Sequence, residues 1–589
     1  MPPLPIINRA TSLSEEQFTQ AIGELERRKV IDVDHRGDED RVELRSEALR
    51  TVVLDSLSES QARALHRRAA ASWLKATGPR AESSGQAARH LYAAGEDRAA
   101  FPHALEAAYH AGESLDYATV RRWMAQIGEP GTALEEVSPD AVYRFQMLRF
   151  LLAFGDGALE QAQEAVSLAA TAASDLRSQL LTGIACARIH IRTGNYLPAV
   201  QVSRRGLREA KRSKIHDLGV TFATLGARAA RRSGDNQSAL SWLAEADILV
   251  TTDVELKGLA IDLAWSRSAV LLELHREEEA ETEIHRAIHL ARRDRQDRTL
   301  SGLRLNLGLL FWRRGEIPEA VAEFTESRKI SAEMGEYEVV AQNDVYLARL
   351  ELMQGRVTEA VQLARSAWRT FRRLHDRQGI IVSGAALLAV ARVTQDEPDA
   401  RSVIDASAKK ASTGQSAGSV WSEHWVERCR WHRSREEHKE ADRCLEQART
   451  SLGASPPRYR KHEVELLQAE MAYRKERHGE AKSLCEQIVA EAREAQHWPI
   501  MWMAEALRAA ARAAQGEEVS PPEPPQPLID NDLPLAFYCV WFQAATLVSL
   551  GEPQQAYDGL REARESARNS GFVDWTNRFV ARVEELESS

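Results

Sequence analysis

Cysteine is nearly absent from this sequence: five in 589 residues, at Cys186, Cys429, Cys444, Cys485 and Cys539. The number is odd and no two stand as Cys-x-x-Cys. That excludes a disulfide framework and fits a reducing, cytoplasmic compartment. Lysine is scarce as well, since arginine supplies 65 of the 77 basic residues. The net charge of −10 argues against bulk nucleic-acid binding. The opening MPPLPIINRATSLSEEQ lacks a basic segment followed by an apolar one, so no signal peptide is read there. The longest uncharged apolar run, Leu533 to Leu550, carries Pro534 and Gln543 and falls short of the ~20 apolar residues a membrane span needs. It is expected to be a buried helix, and no membrane association is expected.

Catalytic motifs are missing too. There is no Gly-Lys dipeptide anywhere, so the phosphate-binding GxxxxGK[ST] loop is absent. The kinase HRD and DFG sets, GxSxG, HExxH and recognisably spaced carboxylate pairs are absent as well. His285 and His289 are four apart on one helical face, with Glu281 before them, but they lack a third ligand. His424, Cys429 and His432 straddle a helix and share no face. The expectation is a chain with no catalytic residue, no cofactor and no metal.

What the sequence does contain is a repeat. Ala199, Ala239, Ala280, Ala320, Ala360, Ala400, Ala441 and Ala481 recur at intervals of 40 or 41. A fixed period of this length marks a repeat architecture. Twelve residues before each alanine stands a second column, Ala187, Ala227, Ser268, Gly308, Ala348, Leu388, Cys429 and Ala469. Seven after it stands a third, Gly206, Ala246, Ala287, Ser327, Ala367, Ser407, Ala448 and Ile488. Only Leu388 and Ile488 are large. Small side chains let two helices approach closely, so each period reads as a pair of antiparallel helices. Ala291 stands outside the columns and is expected to tolerate a larger side chain better than Ala320. Five turns place glycine five residues before the anchor: TGNYLPA, SGDNQSA, RGEIPEA, QGRVTEA and LGEPQQA. Glycine there ends the first helix in the left-handed conformation. His275, Gln395, Glu436 and Glu476 hold that place in four other periods.

Taken in order, residues 1–76 differ from the rest. Ser14-Glu15-Glu16-Gln17 is a capping box opening a helix through Lys29. VIDV, the turn DHRGDED and RVEL read as a hairpin, and further helical stretches follow from Ser46 and Ser58. Residues 77–515 read as the repeat array, with an inter-repeat loop at 412–419. Residues 516–534 hold six prolines and read as an extended linker that replaces one second helix. Residues 535–589 read as a terminal repeat and cap. The predicted fold is all-α: a superhelix of about ten tetratricopeptide-like helix pairs behind a small winged-helix-like segment.

The run RVELRSEALRTVVLDSLSESQARALHRRAAASWL resembles the junction after the ATPase module of bacterial STAND-type regulators. There a winged helix passes into a tetratricopeptide-like array, as it does in maltose-regulator-like transcription factors and repeat-containing bacterial Ser/Thr kinases. The resemblance implies a non-enzymatic sensor or regulatory scaffold in signal transduction. An ATPase or kinase module would act in trans or belong to a longer parent chain. Two alternatives stand beside it: a DNA-binding transcription regulator, or the C-terminal fragment of a STAND ATPase or Ser/Thr kinase. The helix SEEQFTQAIGELERRK, which would read DNA, carries Glu15, Glu16, Glu24 and Glu26, so nucleic acid is the disfavoured partner.

In tetratricopeptide arrays the first-helix residues 11 and 7 before the anchor face the groove. In this sequence arginine fills eight of those sixteen places: Arg188, Arg192, Arg228, Arg232, Arg313, Arg349, Arg430 and Arg474. Trp265 and Trp312 stand beside them. Guanidinium groups pair bidentately with carboxylates and phosphates, and indoles stack on ligands. The expected partner is a protein or an acidic peptide. Residues 180–193 and 218–233 contain no Asp or Glu, so neutralisation of the paired arginines is expected from an external anion or from second-helix acids such as Glu209.

Overall fold

A computed structural model describes residues 2–11, 13–35, 40–75, 80–113, 116–128, 138–253, 256, 258–274, 276–411, 419–452, 456 and 458–588. They form two compact units, Met1–Ala185 and Cys186–Ser589.

The first unit begins with α1 (Leu4–Ala10) and α2 (Glu15–Arg27). The Ser14 hydroxyl accepts from Gln17 N while the Gln17 side chain accepts from Ser14 N, closing the expected capping box. Lys29 ends the helix with φ 57°. The hairpin β1 (Ile31–Asp34) and β2 (Arg41–Leu44) is antiparallel, with Ile31 opposite Leu44. Residues 36–39 of the expected turn, and 412–418 of the expected inter-repeat loop, lie outside the described residues, as does His275. Next come α3 (Glu47–Asp55), α4 (Glu59–Leu74), α5 (Arg80–Ala93), α6 (Asp97–Glu113), α7 (Tyr117–Ile127), α8 (Pro139–Asp156) and α9 (Leu159–Ala172). Sequence reading had no place for α1. Its Leu4 N–H donates to Asp40 O, and its Ile6 is buried with Trp73 and Ala87.

The division between the units falls within α10 (Leu176–Thr193). The paired helices are then α11 (Tyr196–Arg212), α12 (His216–Arg232) with α13 (Asn236–Thr252), and α14 (Leu259–Glu273) with α15 (Glu277–Arg293). They continue as α16 (Asp297–Arg314) with α17 (Ile317–Glu333), α18 (Tyr337–Met353) with α19 (Val357–Arg373), and α20 (Arg377–Thr394) with α21 (Glu397–Ala411). The last regular pairs are α22 (Ser419–Ser434) with α23 (His438–Ser451) and α24 (Arg458–Arg474) with α25 (His478–Glu494). This is a tetratricopeptide-like helical repeat. All eight anchor alanines have no exposed surface, so the register read from the sequence is the packing register. At Gly308 a Cβ would lie 2.8 Å from the Phe324 ring, which is why that column stays small. The five turn glycines all have positive φ, and Gln395, Glu436 and Glu476 adopt the same conformation at 57–60°.

After α26 (Trp498–Ala514) the chain is irregular to Pro525, then forms α27 (Gln526–Asn531), α28 (Leu533–Ser549), α29 (Pro553–Asn569) and α30 (Val573–Ser588). The stretch expected to be extended through residue 534 is therefore helical in its second half. Pro527 and Pro534 sit in first turns, where no N–H is needed. α28 packs into the core, as expected for the apolar run. Among the described residues one helix, α20, is long and apolar enough to cross a membrane, and 67% of it is buried inside the structure.

Candidate functional site

The first helices of the second unit line a groove of about 2570 Å³. Arg228, Arg232, Trp265, Trp312, Arg313, Arg349 and Arg430 stand on its wall; Arg188, Arg192 and Arg474 do not. Arg228 and Arg232, four apart on α12, share the face that lines it.

Most of these cations already have partners. Arg192 Nη2 donates to Glu338 Oε2 at 2.8 Å, and Arg232 Nη2 donates to Glu338 Oε1 at 3.1 Å. Arg232 Nη1 also donates to Asp376 Oδ2 at 3.3 Å. Asp376 accepts in addition from Gly379 N at the start of α20. The array thus winds until α10 and α12 meet α18 and α20. Burial by itself would raise the Glu338 carboxyl; Arg192, Arg232 and Arg228 outweigh it and hold it at about 2. The acids that neutralise Arg192 and Arg232 do not lie on α11, where Glu209 stands. They come from first helices more than a hundred residues along the chain.

A second network also lines the groove. Arg349 and Arg460 share Glu423, and Arg460 also pairs with Glu463. Arg430 Nη1 donates to Glu427 at 2.5 Å and to Glu463 at 3.2 Å. Arg313 donates to the Leu272 carbonyl. Trp265 lies over Gly302, where any Cβ would collide with the indole, and Trp312 meets Tyr346 edge-on at 6.0 Å. Both indoles are half-buried, so each offers only part of its face to the groove.

Arg228 differs. It is exposed to the groove and, among the described residues, makes no hydrogen bond or ion pair. Its surroundings lower its pKa to about 10, chiefly by burial, with the charge of Glu338 opposing. Sequence reading missed Glu338, Asp376, Glu423, Arg460 and Glu463. Glu423 and Glu463 were findable: both stand eighteen residues before an anchor alanine, one helical stripe beyond the two columns read. Elsewhere His285 and His289 are exposed, and Glu281 is taken by Arg314.

No protein-family model matches the chain, and no curated protein matches it. Among solved structures the chain is similar to a Rap protein complexed with competence and sporulation factor. The identity is 12% and the TM-score 0.40, over 68% of this chain and 99% of that one. The apo form of RapI follows at 9% and 0.36, over 60% and 97%. A Signal Transduction ATPase with Numerous Domains (STAND) protein with a tetratricopeptide repeat sensor, from Pyrococcus horikoshii, gives 12% and 0.32, over 76% and 62%.

Proposed function

We propose that the chain is a non-enzymatic recognition scaffold whose groove holds an acidic peptide segment of a partner protein. It would serve as the sensor part of a bacterial, cytoplasmic signal-transduction protein of the STAND type. The observation that carries this reading is Arg228, a guanidinium unpaired among the described residues and facing a groove of about 2570 Å³ in which the other wall arginines have internal acceptors. Such a group is free to take a carboxylate without breaking an existing pair, and charge-assisted hydrogen bonds are the stronger ones. Trp265 and Trp312 add partly open apolar surface beside it. The hairpin and α4 of the first unit would be the winged-helix-like end that meets an ATPase or kinase module. The acidic α2, with Glu15 and Glu16 in its first turn, supports protein over DNA as the neighbour.

The test is a peptide array of acidic and neutral sequences, followed by titrations that monitor tryptophan fluorescence. Acidic peptides should bind, and Arg228→Glu should weaken them about tenfold or more, since a hydrogen bond to a charged group contributes roughly 1.5–3 kcal/mol. Equal affinity for Arg228→Glu and the unaltered chain would refute the groove anchor.

A further inference from the structure

Two large aromatic side chains that line the groove are left open: Tyr459 is 42% exposed and Trp498 43%. An aromatic ring carries a large apolar surface, and two left open beside one cavity mark a contact surface. Tyr459 stands at the start of α24 and Trp498 at the start of α26, the next first helix. His497, the N-cap residue of α26 and chain neighbour of Trp498, also lines the groove. It meets the Tyr459 ring edge-on at 5.4 Å. This edge is pinned to the array. His497 Nδ1 and His462 Nδ1 share a hydrogen bond at 3.2 Å, and His462 Nε2 donates to Glu491 Oε2 at 3.3 Å. His462 has no exposed surface, and burial, the first cause, lowers its pKa, so the ring is neutral. With its proton on Nε2, its Nδ1 accepts and His497 donates. Arg460 lies over the Tyr459 ring at 5.8 Å. Pro525 and Leu528, at the start of α27, bring further apolar surface to the same cavity.

One groove therefore carries a cationic anchor, Arg228 on α12, and an aromatic one on α24 and α26. At about 2570 Å³ it exceeds the ~300–1,000 Å³ of a small-molecule pocket and suits a length of peptide. Tyrosine, tryptophan and arginine are the residues on which binding energy concentrates in protein interfaces. We propose that the groove's occupant is a peptide segment with two anchors: an acidic side chain held by Arg228, and a bulky apolar side chain seated on Tyr459, Trp498 and Leu528. This second anchor rests on the groove reading above and adds a sequence requirement to it. Because the two anchors stand on different repeats of one packed array, acid and apolar side chain must be a set distance apart in the peptide.

The experiment is calorimetric titration of the full chain with synthetic Gly-Ser peptides that carry one Asp and one Phe at graded spacings. Peptides with the Asp alone or the Phe alone run beside them. Peptides with both should bind about tenfold or more tighter than either single-anchor peptide, within one narrow range of spacing. Trp498→Ala alters an exposed side chain and should keep the helical spectrum. It should lose that gain while binding the Asp-only peptide as the unaltered chain does. Tyr459→Ala gives a second variant, with the same loss expected. Arg228→Glu should weaken every Asp-bearing peptide and leave the Phe-only peptide unchanged. No gain from Phe at any spacing would overturn the apolar anchor, as would an undiminished gain in Trp498→Ala; a loss in Arg228→Glu would then still keep the groove reading. A loss in Trp498→Ala with none in Arg228→Glu would refute the groove reading and the two-anchor peptide together. A dimer in sedimentation that Trp498→Ala dissolves would seat a second copy on these rings and overturn the inference as well.

Discussion

Ala320 and Ala291 both have no exposed surface, although only the first stands in a small-residue column. The columns mark where helices of one pair touch; Ala291 is covered by the other hydrophobic residues of its cluster, including Leu300 and Leu303 of the following helix. Ala291 is therefore no tolerant position, and the expectation that it would be is corrected. Ala322, two residues beyond Ala320 on α17, is exposed. Ala320→Trp should cost about 1–3 kcal/mol or more by overpacking, and Ala322→Trp close to nothing. Equal melting temperatures for the two would mean that the packing register is wrong. Glu338 makes a second test at this scale. Its carboxyl is held below the ordinary value, so the stability it adds is present above about pH 4.5 and is lost as pH falls toward about 2. Glu338→Gln leaves Arg192 and Arg232 without their shared carboxylate and should cost about 3–5 kcal/mol near neutrality. The variant should also lose part of the acid-induced fall in melting temperature; an unchanged pH profile would show that the carboxylate is not held by those arginines.

The helix pair was the most legible level of this structure. A small residue every forty positions fixes where two helices cross, and that information is local. The turns were legible for the same reason where glycine marks them, and less so where Gln395, Glu436 and Glu476 take the left-handed conformation unaided. That backbone is uncomfortable for a side chain with a Cβ, by roughly 1–2 kcal/mol. Glu476→Gly should therefore stabilise by up to about 1 kcal/mol, whereas Gln447→Gly within α23 should destabilise by about as much. Chemical denaturation of both variants decides it, and destabilisation by Glu476→Gly would contradict the turn geometry. α1 was illegible because three prolines, Pro2, Pro3 and Pro5, around a short apolar run give no periodicity; its place is set by Trp73 and the β2 edge.

At the scale of the whole second unit, sequence reading singled out eight arginines, of which five line the groove, and none of their acids. It looked for neutralisation within neighbouring helices, whereas Glu338 lies 146 residues from Arg192 and 106 from Arg232. That juxtaposition depends on pitch, the sum of many small rotations between repeats, and no local pattern states it. The same self-contact recurs further on, where Arg392 meets Asp574 and Gly571 packs on Val357. Spin labels at Gln237 and Tyr337 should report one narrow distance that is unmoved between low and high salt, because buried pairs are poorly screened. Combining Glu338→Lys with Asp376→Lys should lengthen and broaden it. A broad distribution in the unaltered chain would mean that the turns do not hold together.

These long-range pairs also restrict how such a chain can evolve. An open solenoid gains or loses repeats by unequal recombination, since each copy needs only its neighbours. Here one copy inserted between α12 and α18 would carry Glu338 a full repeat away from Arg192 and Arg232 and break both pairs. The number of copies between those helices is therefore set by the geometry of an ion pair.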